Sequence, residues 1–218
     1  MNAVTRLAWN SLPDVDIWRV DLDAYARDRA CAPFSNEECV RAARMLPNVA
    51  RRFLAARDAM RSVLGRVLGL TSTDIAIDVD ESGKPALRDS KLHFNVTHSG
   101  AMCLIATSRR LPIGIDVECL RPVAETASLA KAHFTREEQD EWNRARSDAK
   151  FLRCWTRKEA CLKALGVGLQ VEPALVNAGC ADSSRLVEVP IRGRICRVVV
   201  HTLPFADDAV SAVALADA

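Results

Sequence analysis

The spacing of apolar residues along the chain changes several times, and each change marks a predicted change of element. Residues 15–22, Val-Asp-Ile-Trp-Arg-Val-Asp-Leu, alternate enough at Val15 and Ile17 to predict an early strand. From Asn36 to Leu70 the period lengthens: Phe53, Leu54, Met60, Val63, Leu64, Val67 and Leu68 recur at three- and four-residue steps between arginines, predicting helix, and Gly69 closes the run. Short strands are then predicted at Ile75–Ile77, Leu92–Thr97, Met102–Thr107 and Ile113–Val117, with a turn at Ser82-Gly83-Lys84-Pro85. A second helical region is predicted from Val123 to about Leu165. Thr135 and Glu138 resemble a capping box within it, and it stops before Gly166. Leu186–Ile191 and Ile195–Leu203 flank Arg192-Gly193 as a hairpin, and Ala209–Leu215 reads as a last strand.

Helix followed by strands thus occurs twice, which predicts an α+β chain of two similar-sized halves meeting near Arg109 to Leu111. With 218 residues, nearly half of them apolar, there is enough material for a real core. A formal net charge of +2 is too balanced to advertise a nucleic-acid or membrane surface. Met1 to Asp23 lacks the basic run and apolar stretch of a signal peptide, and charges interrupt every later apolar run, so the expectation is a soluble, cytoplasmic protein. Eight cysteines without an export signal are expected to stay as buried thiols. No C-x-x-C pair occurs and the four histidines are scattered, which argues against zinc.

Three segments carry candidate chemistry. In Gly114-Ile115-Asp116-Val117-Glu118, strand alternation projects Asp116 and Glu118 to one side and Ile115 and Val117 to the core. Two neighbouring carboxylates repel unless a cation separates them, and magnesium takes such oxygen ligands. An isolated D-x-E is otherwise an ordinary solvated strand end. In Trp155-Thr156-Arg157-Lys158-Glu159-Ala160-Cys161-Leu162-Lys163, residues Trp155, Glu159 and Lys163 share one side of a helix. Glu159 and Lys163 alone would also read as a surface ion pair. In His93-Phe94-Asn95-Val96-Thr97-His98-Ser99-Gly100, hydroxyls and an imidazole at a strand end suit phosphate oxygens, or else His98 caps the turn.

In this order the three segments resemble the signature of the 4'-phosphopantetheinyl transferases of the surfactin-synthetase-activating type. The matching residues are Asn95, Thr97 and His98, then Gly114, Asp116 and Glu118, then Trp155, Lys158, Glu159, Ala160 and Lys163 about forty residues on. The resemblance covers about Gly83 to Leu169. It implies a pseudo-twofold duplication of two similar α+β subdomains, 1–109 and 110–218, each a helix packed on a small antiparallel sheet, with the active site at their interface. It also implies transfer of the phosphopantetheine arm of coenzyme A, with Mg2+, to a serine of an apo acyl carrier protein or of a carrier domain of a polyketide, fatty-acid or peptide synthase. Adenosine 3',5'-bisphosphate would be released.

By the same resemblance Asp116, Glu118 and Glu159 would hold the metal, and Lys163 would contact phosphate near the transferred group. Thr97 and His98 would bind coenzyme phosphate, and Lys84 and Pro85 would line the coenzyme pocket. Arg52 and Arg57 would reach the 3'-phosphate. Glu159, beside both metal and incoming hydroxyl, is the candidate base. Ala160 after Lys158-Glu159 leans toward fatty-acid or polyketide carriers, and the chain is expected to act as a monomer. A metal-dependent pyrophosphate hydrolase could use the same carboxylates with water, and a binding protein that has lost transfer is a third reading.

Overall fold

The computed structural model describes residues 3–9, 12–28, 34–79, 84–88, 90–204 and 207–217. Cys31 and the Ser82-Gly83 part of the expected turn lie outside the described residues. The order of elements is β1 (Val4–Leu7), β2 (Val15–Asp21), α1 (Leu22–Asp28), α2 (Asn36–Ala43), α3 (Pro47–Leu68), β3 (Ile77–Val79), β4 (Pro85–Leu87), β5 (His93–Ser99) and β6 (Met102–Ser108). There follow β7 (Ile113–Cys119), α4 (Thr126–His133), α5 (Arg136–Asn143), α6 (Asp148–Leu165), β8 (Arg185–Ile191), β9 (Arg194–Leu203) and β10 (Ala209–Ala216).

Two four-stranded antiparallel sheets, ordered β1-β2-β6-β5 and β7-β10-β9-β8, lie between two helices. Strand alternation builds the layers. Cys103 and Ile105 of β6 face a core with Ala59, Met60 and Val63 of α3. Met102, Leu104 and Ala106 face the other way, onto Ile113, Ile115 and Val117 of β7 and Val213 of β10. On the far side Ala160, Cys161 and Ala164 of α6 pack on Ala212 and Ala214 of β10 and Val198 and Val200 of β9. The result is helix, sheet, sheet, helix, as the α+β expectation requires.

Local signals explain most of the boundaries. Gly69 and Gly166 end α3 and α6 with φ of 72° and 66°, the left-handed region that a β-carbon disfavours. Thr135 and Glu138 form the capping box of α5. The expected single helix from Asn36 is two, because Leu46 adopts extended backbone and Pro47 starts a new helix. Ile75 belongs to no strand; it is buried in the first core, ahead of β3. Three elements escaped prediction, among them the three-residue β4. At seven residues α1 is too short to show a period, and β1 is an edge strand that takes its register from β2.

Seven described cysteines are free thiols, and Cys103, Cys154, Cys161 and Cys180 are buried. Among the described residues no helix is long and apolar enough to cross a membrane.

Candidate active site

No backbone ladder joins the two sheets where β5 faces β7; polar side chains bridge them. Asn95, Thr97 and Ser99 alternate onto that side of β5. Asn95 Oδ1 accepts from the backbone N–H of Ile115 at 2.9 Å, and Thr97 Oγ1 donates to Asp116 Oδ1 at 2.9 Å. Ser99 Oγ donates to Glu118 Oε2 at 3.1 Å and accepts from the N–H of Cys119 at 3.1 Å. Three residues two apart on β5 therefore grip β7 in step with its own Asp-x-Glu spacing.

The same alternation bears on one expectation. Thr97 and His98 were expected to bind phosphate together, yet neighbours on a strand point to opposite faces. Thr97 is buried on Asp116, while His98 is exposed and lines a cleft with Phe94 and Val96. Partial desolvation of its ring, then the charge of Lys163, holds the His98 imidazole below its usual pKa.

Glycine at 114 explains how helix and strand carboxylates come near one another. A β-carbon there would lie 2.1 Å from the carbonyl oxygen of Ala160 and 2.3 Å from the backbone nitrogen of Ala164. Only glycine lets β7 approach α6 so closely. Trp155, Glu159 and Lys163 are half-buried between fully buried neighbours, on the shared face the helical period predicts. Lys163 Nζ donates to Asp116 Oδ1 at 2.6 Å and lies 3.5 Å from Thr97 Oγ1.

Burial raises the Asp116 carboxyl above its ordinary pKa, with Lys163 and Thr97 opposing and Glu118 adding to the rise. Burial likewise raises Glu159, opposed by Lys163 and reinforced by Asp116 and Glu118. Asp116 thus feels the charge of Glu118, and Glu159 that of both, with Lys163 opposing in each case. Their side chains do not converge as a ligand cluster among the described residues: Asp116 is held by Thr97 and Lys163, and Glu118 by Ser99 and Arg121, the latter at 2.8 Å.

The basic residues divide. Arg57 donates from Nε to Glu38 Oε1 at 2.9 Å and lines a cleft of about 330 Å³ with Arg41, Phe53, Pro85 and His98. Arg52 is tied to Asp23 by two bonds of 3.0 and 2.6 Å and is not among the residues lining that cleft. Glu38 would be raised by burial, but the Ser35 N–H, Arg61 and Arg57 bring it below the usual carboxylate range. Lys84 places its ammonium on the carbonyl oxygens of Lys163, at 2.6 Å, and Ile113, at 3.4 Å. It bridges the two halves at the carboxyl end of α6, where a cation is favoured.

Several roles went unread in the sequence. Lys158 is fully buried: it pairs with Glu138 at 2.5 Å, donates to the carbonyl of Pro173 at 2.9 Å and contacts that of Val176. It anchors α6 to α5 and never reaches the carboxylate cluster. Arg41 had no sequence signal, since its place at the cleft depends on how α2 docks on α3. Ser99 had one, its two-residue step from Thr97 matching that from Asp116 to Glu118.

Residues 18–110 match the family described as 4'-phosphopantetheinyl transferase, N-terminal, and residues 112–192 the 4'-phosphopantetheinyl transferase superfamily. The 4'-phosphopantetheinyl transferase HetI of Nostoc sp. is 40% identical over 167 residues, covering 72% of this chain and 70% of that protein. A putative 4'-phosphopantetheinyl transferase of Synechocystis sp. is 33% identical over 165 residues, covering 72% and 67%. The transferase Sfp of Bacillus subtilis strain 168 is 34% identical over 134 residues, covering 56% and 58%.

Proposed function

Because the chain belongs to the 4'-phosphopantetheinyl transferase superfamily, we propose that it moves the phosphopantetheine arm of coenzyme A onto a serine of an apo acyl or peptidyl carrier protein, with Mg2+. The observation that supports this reading is the close approach of β7 to α6 at Gly114, with Lys163 of α6 on Asp116 of β7 and Glu159 within the field of Asp116 and Glu118.

The donor set fits a hard divalent cation. It offers carboxylate oxygens from two elements, and burial penalises the charge on Asp116 and Glu159 that a bound cation would stabilise. Asp116, Glu118 and Glu159 would hold the ion, which when bound draws charge from the phosphoryl oxygens and from the leaving group. The chain's own residues do the rest. Arg57 and His98, on the cleft, bind and orient coenzyme phosphates. Lys163 holds its charge beside the transferred phosphoryl group, anchored on Asp116. Glu159, whose carboxyl is raised by burial, accepts the serine proton. The serine oxygen forms the new bond to phosphorus, the pyrophosphate P–O bond breaks, and adenosine 3',5'-bisphosphate leaves with the electron pair.

In this reading the chain works as two halves, 1–109 and 110–218, with the site between them. Ala160 favours acyl carriers of fatty-acid or polyketide synthases. Mass spectrometry of apo-carriers incubated with coenzyme A tests it: conversion to the holo form is expected with Mg2+ and not with chelator. Conversion undiminished by chelator would overturn the metal assignment. Adenosine bisphosphate released at full rate without any carrier would make the chain a hydrolase.

A further inference from the structure

The seam between β5 and β7 treats its two carboxylates alike. Asp116 Oδ1 takes a hydroxyl, from Thr97, and a cation, Lys163. Glu118 Oε2 takes a hydroxyl, from Ser99, and a cation, Arg121. In both, the second oxygen carries no hydrogen bond among the described residues. Two donors on one oxygen fix the rotation of a carboxylate and leave the other oxygen for a further partner. Glu118 depends on this more than Asp116 does, because it has the longer side chain and lies near the strand's open end. Its arginine is also half-exposed, with 51% of the side chain accessible, and surface arginines hold geometry weakly. Ser99 is the better anchor. The N–H of Cys119 binds the same hydroxyl oxygen, so Ser99 joins the backbone of β7 to the carboxylate it orients.

We propose that Ser99 is a positioning residue for Glu118, holding Oε2 so that Oε1 is presented to the divalent cation. This rests on the metal reading of the proposed function. Groups that orient a ligand in this way change metal affinity by about ten- to a hundredfold when removed.

Ser99→Thr and Ser99→Val differ only by a hydroxyl against a methyl, and both suit a strand, so the pair separates hydrogen bonding from folding. Mn2+ binding followed by electron paramagnetic resonance in the presence of coenzyme A is the readout. Ser99→Thr is expected to match the unaltered protein, and Ser99→Val to bind Mn2+ at least about tenfold more weakly. Melting temperature and metal-free coenzyme binding should be alike for the two variants, which a merely structural role would not give. Equal Mn2+ affinity in Thr and Val variants would overturn the inference while leaving the metal site intact. Absence of Mn2+ binding by the unaltered protein would overturn the reading beneath it as well.

Discussion

Along α3 four arginines meet carboxylates, whereas along β7 and α6 the imbalance runs the other way. Asp23 takes Arg51 and Arg52, and Glu38 takes Arg57 and Arg61. Across the seam Lys163 pairs with Asp116 and its charge acts on Glu159, while Glu118 takes Arg121 at the rim. The first wall is electrostatically settled, its side chains preset by neighbours. The second retains negative charge that folding alone would select against, since burial raises two of its carboxyls. Surplus charge of this kind marks a place for a ligand.

The largest expected effects come from side chains that hold the second wall together. Lys158→Met leaves Glu138 charged and unpaired in a dry site, and should cost about 3–5 kcal/mol in denaturant unfolding. A single-variant cost under about 1 kcal/mol would show that the pair does not anchor α6. Gly114→Ala forces β7 away from α6 and is expected to cost about 1–3 kcal/mol, with transfer falling further than stability explains. A stable and fully active Gly114→Ala protein would break the link between that close approach and the site.

On the first wall the expected effects are smaller. Arg57→Ala should weaken coenzyme A binding about tenfold, with a smaller loss for the coenzyme lacking its 3'-phosphate. Arg52→Ala should change binding little, because Asp23 already occupies it outside the cleft. Calorimetric titration of both coenzymes would reverse that ranking if the 3'-phosphate sits on Arg52.

The smallest effect tests the charge surplus itself. Glu159→Gln removes one repelling carboxylate and should raise the melting temperature of the metal-free protein by about 2 °C at neutral pH. The sign follows from linkage. With its pKa raised in the folded state, Glu159 binds its proton more tightly there than in the unfolded chain, so its penalty is absent below the ordinary carboxyl range. That penalty grows as pH rises through the raised value, and the melting difference between variant and parent should grow with it. A difference independent of pH would mean that charge is not its cause.

How much of this could be read in advance depended on the range of the interaction. The Asp116/Glu118 pair, the Trp155/Glu159/Lys163 face, the glycine stops and the Thr135/Glu138 cap follow from local period and sterics, so a sequence displays them. Lys158 and Lys163 look equivalent five residues apart on one helix. Their fates differ because the helix turns one toward α5 and the other toward β7, which only packing decides. Arg52 and Arg57 were likewise indistinguishable until Asp23 and Glu38 took their places. Thr97 and His98 could have been separated, since strand alternation alone assigns them to opposite faces.

The central claim is that strand and helix carboxylates serve one cation-dependent transfer step. Transfer rates of Asp116→Ala, Glu159→Ala and the double variant test it most directly, with circular dichroism as the folding control. Each single change should cost at least about two orders of magnitude, and the double should be little worse than the worse single, because groups acting as a unit are non-additive. Losses that multiply in the double variant, or a nearly active Glu159→Ala, would contradict it.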